Sequence, residues 1–312
     1  MKKLRFTIIL IIIFILLDVC LTFTNPVGTS TLYNLNDFEK TVKDHGNTAQ
    51  YEKVFFGNSV VISAFIEEDS RSGYINMGLD YGKVTDIVEM LAQKKLRIEK
   101  DLVVGLNAFT LMDTLETNKT YPWHRKWYEP YVYFQRDRLS ELINNGIENI
   151  LSRKKFVAYR YDDLQKTVYH GILNDEELRE KLELYESRYW SQGLKIYEKN
   201  LKALEKLIKY CEKNNIRLRF VWMPWNPRAE LPGVVSMLME KANEIILENG
   251  NSAGILTGGL SGGSTNMQES IKIYNMTNMF DAVYFHDVGH FDYETGAPKF
   301  TEEIDQWLMK NG

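Results

Sequence analysis

The sequence predicts an α/β fold built on a doubly wound parallel sheet, carrying a helical insertion and an apolar N-terminal helix. Three observations predict it. Short buried runs alternate with helical patterns before and after the middle third of the chain, and strands that alternate with helices form parallel sheets. The first three of those runs end in glycine-bearing turns, at Gly57-Asn58-Ser59, Gly78 and Gly105-Leu106-Asn107. Finally, Phe6 to Phe23 is almost free of polar residues and follows a basic tip.

Taken in order, Lys2, Lys3 and Arg5 precede an apolar stretch that Asp18 alone interrupts. Its length approaches the ~20 residues that span a bilayer. The positive-inside rule keeps the basic end in the cytoplasm and exports everything after Phe23. No Ala-x-Ala site precedes Thr24, and Leu17-Asp18-Val19-Cys20 has Val19 where a lipoprotein box has a small residue. An uncleaved anchor over 1–24 is therefore favoured over a cleaved signal. The polar stretch 25–50, with Pro26 and Gly28, reads as a stalk or linker to the domain at 51–312.

Strands are expected at Lys53–Phe56, Tyr74–Met77, Asp101–Val104, Arg217–Met223 and Ile271–Tyr274. Helices are expected at Val60–Phe65, Val84–Gln93, Leu194–Asn214, Leu231–Leu247 and Thr301–Lys310. Five such strands match a flavodoxin-like three-layer arrangement. Between about 108 and 193 the pattern changes to charged helices, opened by an aromatic run from Tyr121 to Phe134. That run reads either as a lid for sugar rings or a membrane surface, or as rings packing the insertion onto the core. The glycines between Asn251 and Met267 lack the Lys-Ser/Thr ending of a nucleotide loop and read as a surface loop.

Acyl-transfer chemistry needs three kinds of group, and this chain holds all of them. A serine hydroxyl is a poor nucleophile until a base takes its proton and a third group orients that base. Ser59, on a predicted strand-to-helix turn, His290 and Asp287 supply these roles, the last two lying three apart in a segment that Gly289 and Gly296-Ala297-Pro298 keep from being a long helix. The oxyanion of the tetrahedral intermediate needs fixed donors, each worth roughly 3 to 4 kcal/mol of barrier. The N–H groups of Ser59 and Gly78 and the side-chain amide of Asn107 are the candidates, each at the end of a predicted strand.

The order Ser59, Gly78, Asn107, His290 resembles the SGNH/GDSL hydrolase superfamily over the core, from Lys53 to Asn107 and from about Ile216 onwards. Asn58 stands where that family often has Asp, and Ala108 where an Asp often follows the oxyanion Asn. These departures point away from secreted lipases and towards a divergent branch acting on cell-envelope polymers. The resemblance implies a membrane-anchored esterase or O-acyltransferase. Its acceptor would be a polysaccharide or a teichoic-acid-like polymer, and a membrane-bound protein is a possible acyl donor. It implies no cofactor. A catalytically silent polysaccharide-binding or assembly protein on the same fold is the rival from another class.

Composition narrows the remaining classes. A chain of 312 residues with 44% hydrophobic content suits one sizeable α/β domain with an insertion, and a net charge of −4 leaves no nucleic-acid footprint. Cys20 and Cys211 alone give no disulfide framework. His286, Asp287 and His290 would suit a zinc-like site only if helical, so no metal is expected.

Overall fold

The computed structural model describes residues 2–24, 35–118, 120–125, 136–153, 168–251 and 271–310. Residues 25–34 of the expected linker, the aromatic run from Lys126 on, and the glycine-rich stretch from Ser252 lie outside the described residues. The chain divides into two compact units, 1–40 with 119–162 and 41–118 with 163–312.

In the first unit, helix α1 (Lys2–Thr24) holds 23 residues, which at ~1.5 Å each reach about 34 Å. That exceeds the ~30 Å of a bilayer's hydrocarbon core, and the helix is long and apolar enough to cross a membrane, as an anchor or as a signal segment. The expected linker is not wholly irregular, because α2 (Asp37–Asp44) forms within it. Asn36 Oδ1 accepts the Glu39 N–H at 2.8 Å, and the Glu39 carboxylate reaches back to the Asn36 N–H at 3.4 Å. Two rings of the aromatic run pack here. Tyr121 donates to both carboxylate oxygens of Asp37, and Trp123 meets Phe38 edge-on at 5.1 Å. Those two rings pack on the helix within the expected linker. The unit also contains α5 (Arg136–Ser152).

The second unit is a parallel sheet of β1 (Gln50–Gly57), β2 (Ile75–Gly78), β3 (Arg97–Leu106), β4 (Arg217–Trp222) and β5 (Lys272–Asn275), in the order 2-1-3-4-5. This doubly wound order is compatible with the SGNH hydrolase fold. Alternate residues of each strand face opposite ways. Phe55, Val103 and Val221 join Val60, Val61 and Ala64 of α3 (Ser59–Ala64) and Phe300, Ile304 and Leu308 of α9 (Gly296–Lys310) in one buried cluster. On the opposite face, Trp222 donates its indole N–H to Asn243 of α8 (Gly233–Asn251), beside α7 (Glu198–Lys213) and α4 (Val84–Ala92).

Two helices start away from their expected positions because of capping. The expected helix Leu194–Asn214 is split into a 3₁₀ segment, Trp190–Tyr197, and α7. Asp113, far away in sequence, accepts the N–H groups of Lys199 and Asn200 at 2.9 and 3.0 Å and starts a new helix there. Similarly, α9 begins five residues earlier than expected, because Asp292 accepts the Thr295 N–H and hydroxyl and its carbonyl takes the Gly296 N–H. The insertion contributes α6 (Asp175–Arg188), with Asn174 and Glu177 forming a capping box.

Candidate active site

The nucleophile turn is built by steric clearance. Asn58 caps α3, accepting the Val60 N–H on its side chain at 3.0 Å and the Val61 N–H on its carbonyl at 2.9 Å. The helix starts so close to the sheet that a Cβ at Gly57 would lie 2.2 Å from Val61 Cγ2, and one at Gly78 would lie 2.4 Å from Ile62 Cγ1. Only glycine fits under that first turn. Ser59, just after the end of β1, is thereby held 9% exposed at the carboxyl edge of the sheet. Asn107 follows β3, so the two flank the point where strand order reverses, the usual ligand position in such sheets.

Ser59 Oγ lies 2.9 Å from His290 Nε2, and His290 Nδ1 lies 3.0 Å from both carboxylate oxygens of Asp287. The loop that brings them there is closed by an antiparallel bridge between Phe285 and Phe291, whose buried rings stack at 4.6 Å. Asp287 Oδ1 also accepts the N–H groups of Gly289 and His290. Asn226, in the loop after β4, holds the other side by donating its side-chain amide to the Asp287 carbonyl and its N–H to that of Val288. Burial would raise the Asp287 carboxyl, but the charges of His290 and Lys181 and their hydrogen bonds outweigh it and hold the group well below the usual carboxylate range. A carboxylate can only accept, so His290 Nδ1 carries a proton, and in the neutral ring Nε2 is then the nitrogen that accepts from Ser59.

The three expected oxyanion donors are differently placed. Asn107 and Asn58 exchange side-chain hydrogen bonds at 3.0 and 3.1 Å. Asn107 Oδ1 further accepts from Phe109 N, Thr110 N and Thr110 Oγ1, which fixes which way its amide faces. The second hydrogen of Asn107 Nδ2 and the Ser59 N–H have no protein acceptor among the described residues. The Gly78 N–H, in contrast, is donated to Asn76 Oδ1 at 3.0 Å. Gly78 is in register with Gly57, but its amide reaches an oxyanion only by sharing or leaving that bond.

Several groups at the site escaped the sequence reading. Tyr169 stacks on the His290 ring with centroids 4.0 Å apart and planes at 11°. Its segment is zipped to the His290 loop: Tyr293 N–H donates to Tyr169 O, Gly171 N–H to Asp292, and Leu173 N–H to His286 O. Lys181 of α6 forms an ion pair with Asp287 Oδ2. Asp80, in the turn after β2, is half-buried; burial raises its carboxyl while the His290 charge pulls the other way. The one usable signal was spacing, since Leu178, Lys181 and Tyr185 share a helix face. His286, the possible metal partner, instead directs Nδ1 at Gly171 O at 2.9 Å, and the described residues contain no cluster of three or more His, Cys, Asp or Glu suited to a metal ion.

Comparison with known proteins adds no assignment: no protein-family model and no curated protein matches the chain.

Proposed function

We propose that this protein is an extracytoplasmic, membrane-anchored serine acyltransferase or esterase of SGNH type, acting through an acyl-Ser59 intermediate. The observation that carries the reading is the continuous chain from Ser59 Oγ through His290 to a buried, ionised Asp287. His290 Nε2 takes the hydroxyl proton as Ser59 Oγ bonds to the acyl carbonyl carbon. The carbonyl oxygen gains charge and is met by the Ser59 N–H and Asn107 Nδ2. Collapse breaks the bond to the leaving group, which leaves with the proton from His290. Water or an acceptor hydroxyl then repeats the sequence in reverse and frees Ser59. Asp287 orients the ring and stabilises the imidazolium at each step.

The setting supports a polymer substrate in the cell envelope. Helix α1 suits a single-pass anchor with Lys2, Lys3 and Arg5 on the cytoplasmic side. Phe109, two residues beyond Asn107, packs with Tyr185 and Tyr189 against the buried Trp190, and the three half-buried rings suit sugar rings of a polysaccharide or teichoic-acid-like chain. A membrane-bound protein would deliver the acyl group. A fluorophosphonate probe tests the chemistry: covalent labelling of the wild type that is lost in Ser59→Ala is expected. A folded wild-type protein that never labels would favour a silent binding or assembly role instead.

A further inference from the structure

The carboxylate that orients His290 is shared with a second cation, and sharing changes what the carboxylate can do. Helix α6 turns Leu178, which is buried, Lys181 and Tyr185 to one side, three and four residues apart. Lys181 Nζ reaches Asp287 Oδ2 from that side, while His290 Nδ1 approaches from the other. The lysine side chain is 29% exposed and the aspartate 2%, so the pair is largely shielded from solvent. Lys181 cannot be replaced in this role by the Asp287 loop itself, which supplies only the neutral N–H groups of Gly289 and His290.

We propose that Lys181 is a positioning residue of the Ser59–His290–Asp287 unit: by pairing with Asp287 on the side away from the ring it takes up part of that carboxylate's charge and so weakens its hold on an imidazolium. The inference rests on the acyl-transfer reading of that unit. Two carboxylates face the imidazole, Asp287 through its hydrogen bonds and Asp80 through space. Two phenols complete the surroundings, Tyr169 stacked on the ring and Tyr185 behind it, and burial keeps both protonated and uncharged. Lys181 is thus the cation set against Asp287. Without it, an imidazolium formed before substrate arrives would be held by Asp287 and could not accept the Ser59 proton.

The charge and its removal are separable by substitution. Lys181→Met keeps a stem of similar length without the charge, and Lys181→Arg keeps the charge. Two readouts apply to the full-length protein: the pH titration of the His290 ring by NMR, and the pH profile of Ser59 labelling by a fluorophosphonate. Lys181→Met should raise both midpoints by about one pH unit, a tenfold change in proton affinity, and Lys181→Arg should keep them near wild type. Labelling by Lys181→Met should then fall about tenfold below the midpoint and match wild type above it. A lysine that only props up the fold would lower labelling equally at every pH and leave the midpoint in place, and that result overturns the proposal. If wild type never labels, the acyl-transfer reading fails, while the His290 titration still decides whether Lys181 controls the ring.

Discussion

Replacing Asn107 separates an oxyanion donor from a structural acceptor, because the two ends of its side chain do different work. Oδ1 accepts the N–H groups of Phe109 and Thr110, both at 2.9 Å, and so shapes the turn after β3. Asn107→Ala would strand those donors at about 1–3 kcal/mol each, and a lost activity would then be hard to tell from a lost turn. Asn107→Asp is the cleaner change. It keeps an oxygen for both N–H groups and removes the Nδ2 donor that the proposed mechanism uses. It also leaves Asn58 Oδ1 with its bond from Val60 N, so the nucleophile turn keeps its cap. Losing one oxyanion donor lowers kcat by about 10²–10³-fold. The new carboxylate adds repulsion towards the oxyanion, up to about 4 kcal/mol for charges ~4 Å apart in a partly solvated site. At least a 10³-fold loss is therefore expected from the two effects together, with unfolding free energy reduced by less than about 2 kcal/mol. Hydrolysis of an activated acetyl ester gives the rate, and urea unfolding gives the stability. A folded Asn107→Asp protein with turnover within about threefold of wild type would remove Asn107 from the oxyanion hole and leave it as a turn residue.

Three further outcomes are expected. Tyr169→Phe keeps the ring stacked on His290 and should cost less turnover than Tyr169→Ala, which frees the imidazole and should lose about tenfold or more; equal losses would place the role in the hydroxyl instead. Asp101→Asn should destabilise the fold by about 3–5 kcal/mol in urea, since it removes the buried carboxylate that pairs with the 1%-exposed Arg219; an unchanged midpoint would refute that. Asp287, whose carboxyl is held low in the fold, contributes stability that is fully present above its unfolded value of ~3.9 and is lost as pH falls through the folded value. Asp287→Asn should therefore flatten the fall of stability below about pH 4, and a slope as steep as wild type would count against the pairing.

How much of this was legible in the sequence follows from how local each determinant is. All five strands were found, the central β1, β3 and β4 because their burial enforces a short apolar run bounded by a turn; only the ends moved, as at β3, which runs from Arg97 to Leu106. The helix at Asp37–Asp44 was hidden by its polarity, although the capping pair Asn36 and Glu39 is visible at its start. The break between the 3₁₀ segment and α7 had no local signal at all. It is imposed by the side chain of Asp113, 86 and 87 positions from the amides it caps.

The same distinction separates the parts of the site. Ser59, Asp287, His290 and Asn107 stand in turns whose chemistry shows in three or four neighbouring residues. Gly57 and Gly78 were equally visible, but their physical reason was not: each leaves room for a side chain of α3, and that packing is a tertiary fact. Tyr169 and Lys181 lie in a stretch whose aromatic and charged composition suits any solvated helix or loop. What makes them part of the site is docking against the His290 loop, through backbone bonds such as Tyr293 N–H to Tyr169 O that any sequence could form. Backbone zipping of this kind carries no residue signature, so an insertion can bring new groups to a nucleophile without leaving a motif. The catalytic consequences of an insertion must therefore be sought in the ion pairs and ring contacts it makes with the site, as Lys181 does with Asp287 and Tyr169 with His290.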